Sequence, residues 1–209
     1  FTGYIPRRTP STREAGRIRR ELRVKPDEKL IVVTTGGGGD GYAVMDAYLA
    51  MLEAQPLDRG IKSVLVTGPF MPQEERKGLF KRARKVNAQT FLFYRRMEKL
   101  MAAADLVVSM GGYNTLSEVV SQGTLSLVIP RETPRTEQLI RARAFKKQGL
   151  IDYIPWNDFS PPLMRRKIDQ ILANPDPYYA ALSQFRFTGI ENMRNRIQAF
   201  RSRVNVAAC

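Results

Sequence analysis

Two stretches of this chain combine glycines with residues able to handle phosphate and sugar hydroxyls. The first is TTGGGGDG, residues 34–41. Four consecutive glycines lose more backbone entropy on folding than almost any other tetrad, so a compensating contact is expected against them. The run leaves several backbone N–H groups free just ahead of a stretch of helical period, an arrangement suited to an anion. It also satisfies G-x-G-x-x-G through Gly36, Gly38 and Gly41. A dinucleotide reading of that pattern requires an acidic residue closing the next strand to hold a ribose diol, and SVLVTGPF (63–70) ends without one. Glu53 and Asp58 fall at about the right count but lie in the helix and its exit turn. The alternative is a tight turn in which glycine serves packing alone.

The second stretch is MGGYNTLSEVVSQG, residues 110–123. Gly111 and Gly112 end an apolar run, Tyr113, Asn114 and Thr115 can cap the helix that follows, and Glu118 sits about one turn inside it. A phosphate at the helix start would repel a carboxylate at close range, so the useful geometry puts Glu118 on a neighbouring neutral diol, a ribose. The alternative is that Glu118 complements the helix dipole.

Other chemistries are excluded by what is missing. The chain has no histidine, which removes imidazole general bases and His-ligated metal sites. Its one cysteine, Cys209, rules out an internal disulfide and fits a reducing compartment. No run approaches a membrane-spanning helix, and FTGYIPRRTPSTREAGRIRR lacks a signal core, so the expected location is cytoplasmic.

The net charge of +14 is concentrated at the ends. Residues 1–25 hold eight basic against two acidic side chains, and residues 176–209 hold five against two. Such flanks suit an acidic partner, an anionic membrane surface met peripherally, or another part of the same protein.

The elements that must position the two glycine turns are regular. KLIVVTT, SVLVTG, TFLFY, DLVVSMG, LSLVIP and LIDYIP are short, largely apolar, β-branched runs separated by amphipathic stretches of helical length. Runs this uniformly apolar suit strands covered on both faces. The expected fold is therefore α/β: a Rossmann-like, parallel six-stranded sheet with helices on both faces. Ligands in such sheets bind at the carboxyl ends of the strands, where both glycine turns fall. The expected organisation is a linker over 1–25, a binding domain over 26–175 and a helical tail over 176–209. Within ENMRNRIQAFRSRV (191–204), Met193, Ile197 and Phe200 fall on one helical face, with Arg194, Arg196, Arg201 and Arg203 largely elsewhere. That face either meets a surface outside this chain or packs on the chain's own sheet.

The stretch DLVVSMGGYNTLSEVVSQGTLSLVIPRETPRTEQLIRARAFKKQGL (105–150) resembles the nucleotide-sugar-binding half of GT-B glycosyltransferases. The resemblance is to the C-terminal domain of glycosyltransferase family 28, whose members include the lipid II N-acetylglucosaminyl transferases. It extends over about residues 1–175 and is strongest from Phe93 to Gly149. It implies that Glu118 holds the ribose of UDP, that Gly112 to Thr115, at the turn begun by Gly111, meet the diphosphate, and that Glu137 and Gln138 touch the donor sugar. Backbone at Tyr94, in FYRRMEKLMAAAD (93–105), would meet uracil, and Gly37, Gly38 and Gly39 would lie near the diphosphate and the acceptor. Side chains at those glycines would block both substrates.

Two positions depart from the family pattern: Gly123-Thr124-Leu125 stands in place of Gly-x-Pro, and Glu137 in place of a glutamine. The resemblance further implies an inverting hexosyl transfer with no cofactor and no metal. FTGYIP would be the hinge from an N-terminal domain that carries the acceptor site and the catalytic base, so the chain alone would be inactive. A UDP-sugar 2-epimerase shares the fold, but the absence of histidine counts against it. A basic nucleic-acid-binding module would use the same arginine-rich flanks; it is disfavoured because the aromatics are not interleaved with the basic clusters.

Overall fold

The computed structural model describes residues 3–56 and 60–207, the side chains of 201–207 excepted. Asp58, Cys209 and the first two residues of FTGYIP lie outside the described residues, as do the side chains of Arg201 and Arg203. In chain order the elements are α1 (Thr12–Glu21), β1 (Lys29–Thr34), α2 (Tyr42–Ala54), β2 (Ile61–Val66), α3 (Gln73–Lys85) and β3 (Gln89–Phe91). There follow α4 (Met97–Ala103), β4 (Leu106–Ser109), α5 (Tyr113–Gln122), β5 (Leu125–Val128), α6 (Glu137–Lys147) and β6 (Asp152–Tyr153). The chain continues through α7 (Pro161–Ala173), α8 (Asp176–Gln184) and α9 (Gly189–Ala207). Each of the six apolar runs contributes a strand, and all the pairings are parallel, in the order β3-β2-β1-β4-β5-β6.

The apolarity of the strands follows from burial on both faces. Ile31, Val33, Leu65 and Val108 pack under α2, α3 and α7 through Tyr48, Leu79 and Ile168. Leu30, Val32, Val64 and Val107, the alternate residues, pack under α1, α4 and α5 through Ile18, Leu100 and Val119. A third cluster joins α5 to α6 through Leu116, Val128 and Phe145. At the sheet edge the buried carboxylate of Asp152 takes bonds from Lys146 Nζ at 3.0 Å and Lys167 Nζ at 3.1 Å. It also accepts from the Tyr153 N–H at 2.9 Å and from the Tyr178 hydroxyl at 3.4 Å. Burial alone would raise its pKa, but the two lysine bonds outweigh burial and hold it below the usual value.

The expected linker over 1–25 is corrected by α1. Ser11 and Glu14 form a capping box that starts this helix, and Ile18 and Leu22, one turn apart, are buried with Val24 against the sheet. Arg19 fastens α1 to its surroundings, donating to Ala103 O at 3.0 Å, Asp105 Oδ2 at 2.9 Å and Glu28 O at 2.5 Å. Arg19, counted among the flank charges suited to a partner, is thus committed within the fold. Glu14, bonded by Lys99 Nζ and by the Ser11 N–H, has its pKa lowered to about 2.

The segment after α7, expected as a helical tail, packs on the domain up to residue 187. Leu182 is buried in the third cluster, and Phe185 and Phe187 pack against it. Detachment begins at α9, where Ile190, Met193, Ile197 and Phe200 are 48%, 37%, 56% and 68% exposed. This apolar face is not packed on the chain's own sheet. The start of α9 meets the first described residues, with Gly189 N donating to Tyr4 O at 3.0 Å.

Candidate functional site

The strand order reverses between β1 and β4, which places the turns leaving those two strands side by side. This is the topological switch point at which open α/β sheets bind ligands. The two glycine turns, far apart in sequence, line one cleft of about 380 Å³, formed by Thr35 to Asp40, Gly112 to Thr115, and Gln138. A hollow of about 140 Å³ adjoins it, bordered by Phe93, Tyr94, Met97 and Glu118. A larger concavity of about 610 Å³ lies at the opposite end of the sheet, around Glu28, Ile61 and Asn87. It borders Pro56, where the described residues break off, and among the described residues its lining has neither a glycine turn nor a helix start.

The four-glycine run divides between packing and access. Gly38 has φ +92°, and a Cβ there would stand 2.1 Å from Thr67 O on the turn after β2, so glycine is demanded by the approach of two backbones. A Cβ on Gly37 would meet the Phe70 ring at 2.9 Å. Gly39 and Gly112, by contrast, have nothing within 4 Å of a Cβ position. At these two positions the absence of a side chain keeps the cleft open rather than relieving a clash. The packing reading thus holds at Gly37 and Gly38, while Gly39 borders open space.

The start of α5 differs from its expected capping. Gly112 is the N-cap, no side chain caps the helix, and the first-turn N–H groups remain available to a ligand. Two of the three side chains expected to cap, Tyr113 and Asn114, are engaged by the incoming segment 3–11, which runs alongside α5. Asn114 Oδ1 accepts from Arg7 Nη2 at 2.7 Å, and the Tyr113 hydroxyl accepts from Ile5 N at 3.3 Å. Tyr4 stacks on Tyr113 with centroids 5.3 Å apart. Gly111 sits beneath the cleft, its carbonyl accepting from Arg141 Nη1 at 2.8 Å.

Glu118 lies beyond the first turn of α5, so the dipole alternative fails on geometry. Its carboxylate is half-buried in the hollow and accepts no hydrogen bond among the described residues. Burial raises its pKa and Glu98 adds to the rise, while Arg7 opposes it. Placed there, the carboxylate can accept from a hydroxyl that enters the hollow. Tyr94 borders the same hollow, its ring edge-on to Phe91 at 5.2 Å.

Of the remaining expected residues, Gln138 lines the cleft and accepts from Arg131 N at 3.0 Å. Glu137 is exposed and lines neither cavity. Sequence reasoning missed Phe93, 64% exposed over the hollow, and Arg7, read only as part of a charged flank. It also missed the ion pair between Arg131 and Asp40, 91 residues apart, which no local pattern signals.

A model of the glycosyltransferase family 28 C-terminal domain matches residues 31–197. The UDP-N-acetylglucosamine–N-acetylmuramyl-(pentapeptide) pyrophosphoryl-undecaprenol N-acetylglucosamine transferase of Streptococcus agalactiae is 27% identical over 150 residues, covering 71% of this chain and 39% of that protein. The chain thus spans less than half the length of this relative. Among solved structures, MurG of Acinetobacter baumannii superposes with a TM-score of 0.68 at 17% identity, over 87% of this chain and 52% of that one. The UDP-GlcNAc 2-epimerase of Neisseria meningitidis, bound to UDP-GlcNAc, gives 0.58 at 18% identity, over 88% and 47%. At these identities the structural likenesses establish the fold alone.

Proposed function

The chain belongs to glycosyltransferase family 28 through its C-terminal domain, and from that premise we propose that it is the UDP-sugar-binding half of a hexosyltransferase. One observation carries the reading: an uncapped helix start and the unpartnered carboxylate of Glu118 open into adjoining cavities at the switch point. The diphosphate sits at the N-terminus of α5, the ribose bonds to Glu118, and the base enters the hollow beside Phe93 and Tyr94. The donor sugar then extends toward Gln138, with Glu137 at the outer edge. Arg7 brings a cation to the diphosphate side. The N–H groups and dipole of α5 stabilise the departing UDP in place of a metal ion.

The same reading places the acceptor site and catalytic base in an N-terminal domain, with segment 3–11 as the hinge and the apolar face of α9 returning to it. It also places the enzyme in the cytoplasm, attached peripherally to an anionic membrane through exposed arginines. On its own the chain binds nucleotide and transfers nothing. The S. agalactiae relative's name makes UDP-N-acetylglucosamine the donor to try first. Ligand-induced thermal stabilisation tests the reading: UDP is expected to raise the melting temperature more than ADP or NAD at equal concentration. Equal shifts with NAD would overturn it.

A further inference from the structure

Arg131, in the loop after β5, forms an ion pair with Asp40 at the end of the glycine-rich loop after β1. The pair spans the mouth of β4, because β4 lies between β1 and β5 in the sheet. Arg131 also donates its backbone N–H to Gln138 Oε1 at 3.0 Å, on the first turn of α6. Asp40 and Gln138 both line the cleft, whereas Arg131 does not. The Arg131 side chain is 23% exposed, and its Nε is buried with no hydrogen-bond partner among the described residues.

These contacts supply what the glycine run lacks. Gly36 to Gly39 have no side chains with which to hold a conformation, and Gly39 has no neighbour within 4 Å of a Cβ position. On one side the loop is tied by Phe70 N, which donates to Gly37 O at 2.8 Å. On the other it is tied by Asp40. We infer that Arg131 is a positioning residue: through Asp40 and Gln138 it fastens the glycine loop to the start of α6 and sets that wall of the cleft before the donor arrives. The inference rests on the donor-binding reading above for its consequence, but the fastening of the loop can be measured without any ligand. Pre-ordering the loop removes an entropy loss that would otherwise be charged against donor affinity.

The test compares Arg131→Gln, Asp40→Asn, Arg131→Lys and the exchanged pair Asp40→Arg with Arg131→Asp. Amide hydrogen exchange of residues 36–40 is read without ligand, and UDP affinity is read by calorimetry. Arg131→Gln and Asp40→Asn are expected to speed exchange in the loop and to raise the Kd for UDP about three- to tenfold, with Arg131→Lys falling between them and wild type. The exchanged pair should restore both quantities toward wild type. Loop exchange unaltered in both single variants would overturn the inference. A harmless Asp40→Asn beside a damaging Arg131→Gln would also overturn it, and would make Arg131 a direct anion ligand. Failure of the wild type to bind UDP would instead overturn the donor reading, leaving the exchange rates to decide the positioning role.

Discussion

Gly36 and Thr115 each line both the cleft and the hollow that holds Glu118, and so form the neck between the two spaces. A nucleoside diphosphate laid through the site has to pass its ribose–phosphate link between them. Thr115→Phe should therefore close the neck, weakening UDP at least about tenfold, or 1.4 kcal/mol, while thermal stability stays near wild type. Retained affinity in a folded Thr115→Phe protein would show that the ligand does not occupy both spaces.

The glycine loop should respond unevenly to alanine. Gly38→Ala places a methyl against Thr67 O at a positive φ and is expected to destabilise the domain by about 2–4 kcal/mol in urea unfolding. Gly39→Ala meets nothing and should lie within about 0.5 kcal/mol of wild type. Equal losses at the two positions would contradict the division between packing and access.

The raised pKa of Glu118 gives donor binding a pH dependence. Ribose hydroxyls donate to the ionised carboxylate, so affinity should be full above the folded-state pKa and fall as pH drops through it, at a pH higher than for an ordinary glutamate. For folding the sign is opposite: the folded state keeps this proton at higher pH than the unfolded chain, so Glu118 lowers stability as pH rises between the two pKa values. UDP-N-acetylglucosamine is the suitable probe, because its doubly esterified diphosphate has no proton titrating there. Glu118→Gln should flatten the binding profile and weaken affinity at neutral pH by about 1–3 kcal/mol. A profile identical to wild type would show that Glu118 does not bond the donor.

Asp152 predicts an effect on stability without one on binding. Asp152→Asn leaves Lys146 and Lys167 without their shared anion, and since both lysines keep partial access to water the loss should be about 1–3 kcal/mol. The lowered pKa of Asp152 means that its contribution is present above the unfolded carboxyl pKa and is lost as pH falls through the folded one. Urea titrations of both proteins at neutral and acidic pH should therefore converge at the acidic end. UDP affinity should not change.

The sheet was legible because strands buried on both faces carry an unbroken apolar signature, as in Leu30 to Val33. That the glycine turns lie at strand ends, with Glu118 close by, was legible for a related reason: the residue types announce a helix start and an acceptor near it, and the structure brings them to adjoining cavities. Helix α1 was hidden because its buried face consists chiefly of Ile18 and Leu22 among arginines, one of which, Arg19, is itself structural. The capping of α5 was misjudged because Asn114 and Tyr113 are claimed by Arg7 and Ile5, more than a hundred residues earlier. Pairs such as Arg131 and Asp40 exist only once the switch point brings their strands together, so no spacing within the chain could reveal them.

The central claim is that one UDP occupies the cleft and the hollow together, and amide chemical-shift mapping of the isotope-labelled chain titrated with UDP tests it most directly. Saturable shifts confined chiefly to residues 36–40, to Gly112 to Thr115 and to Glu118 are expected. Shifts that fail to saturate, or that gather around Glu28, Ile61 and Asn87 at the opposite end of the sheet, would contradict it.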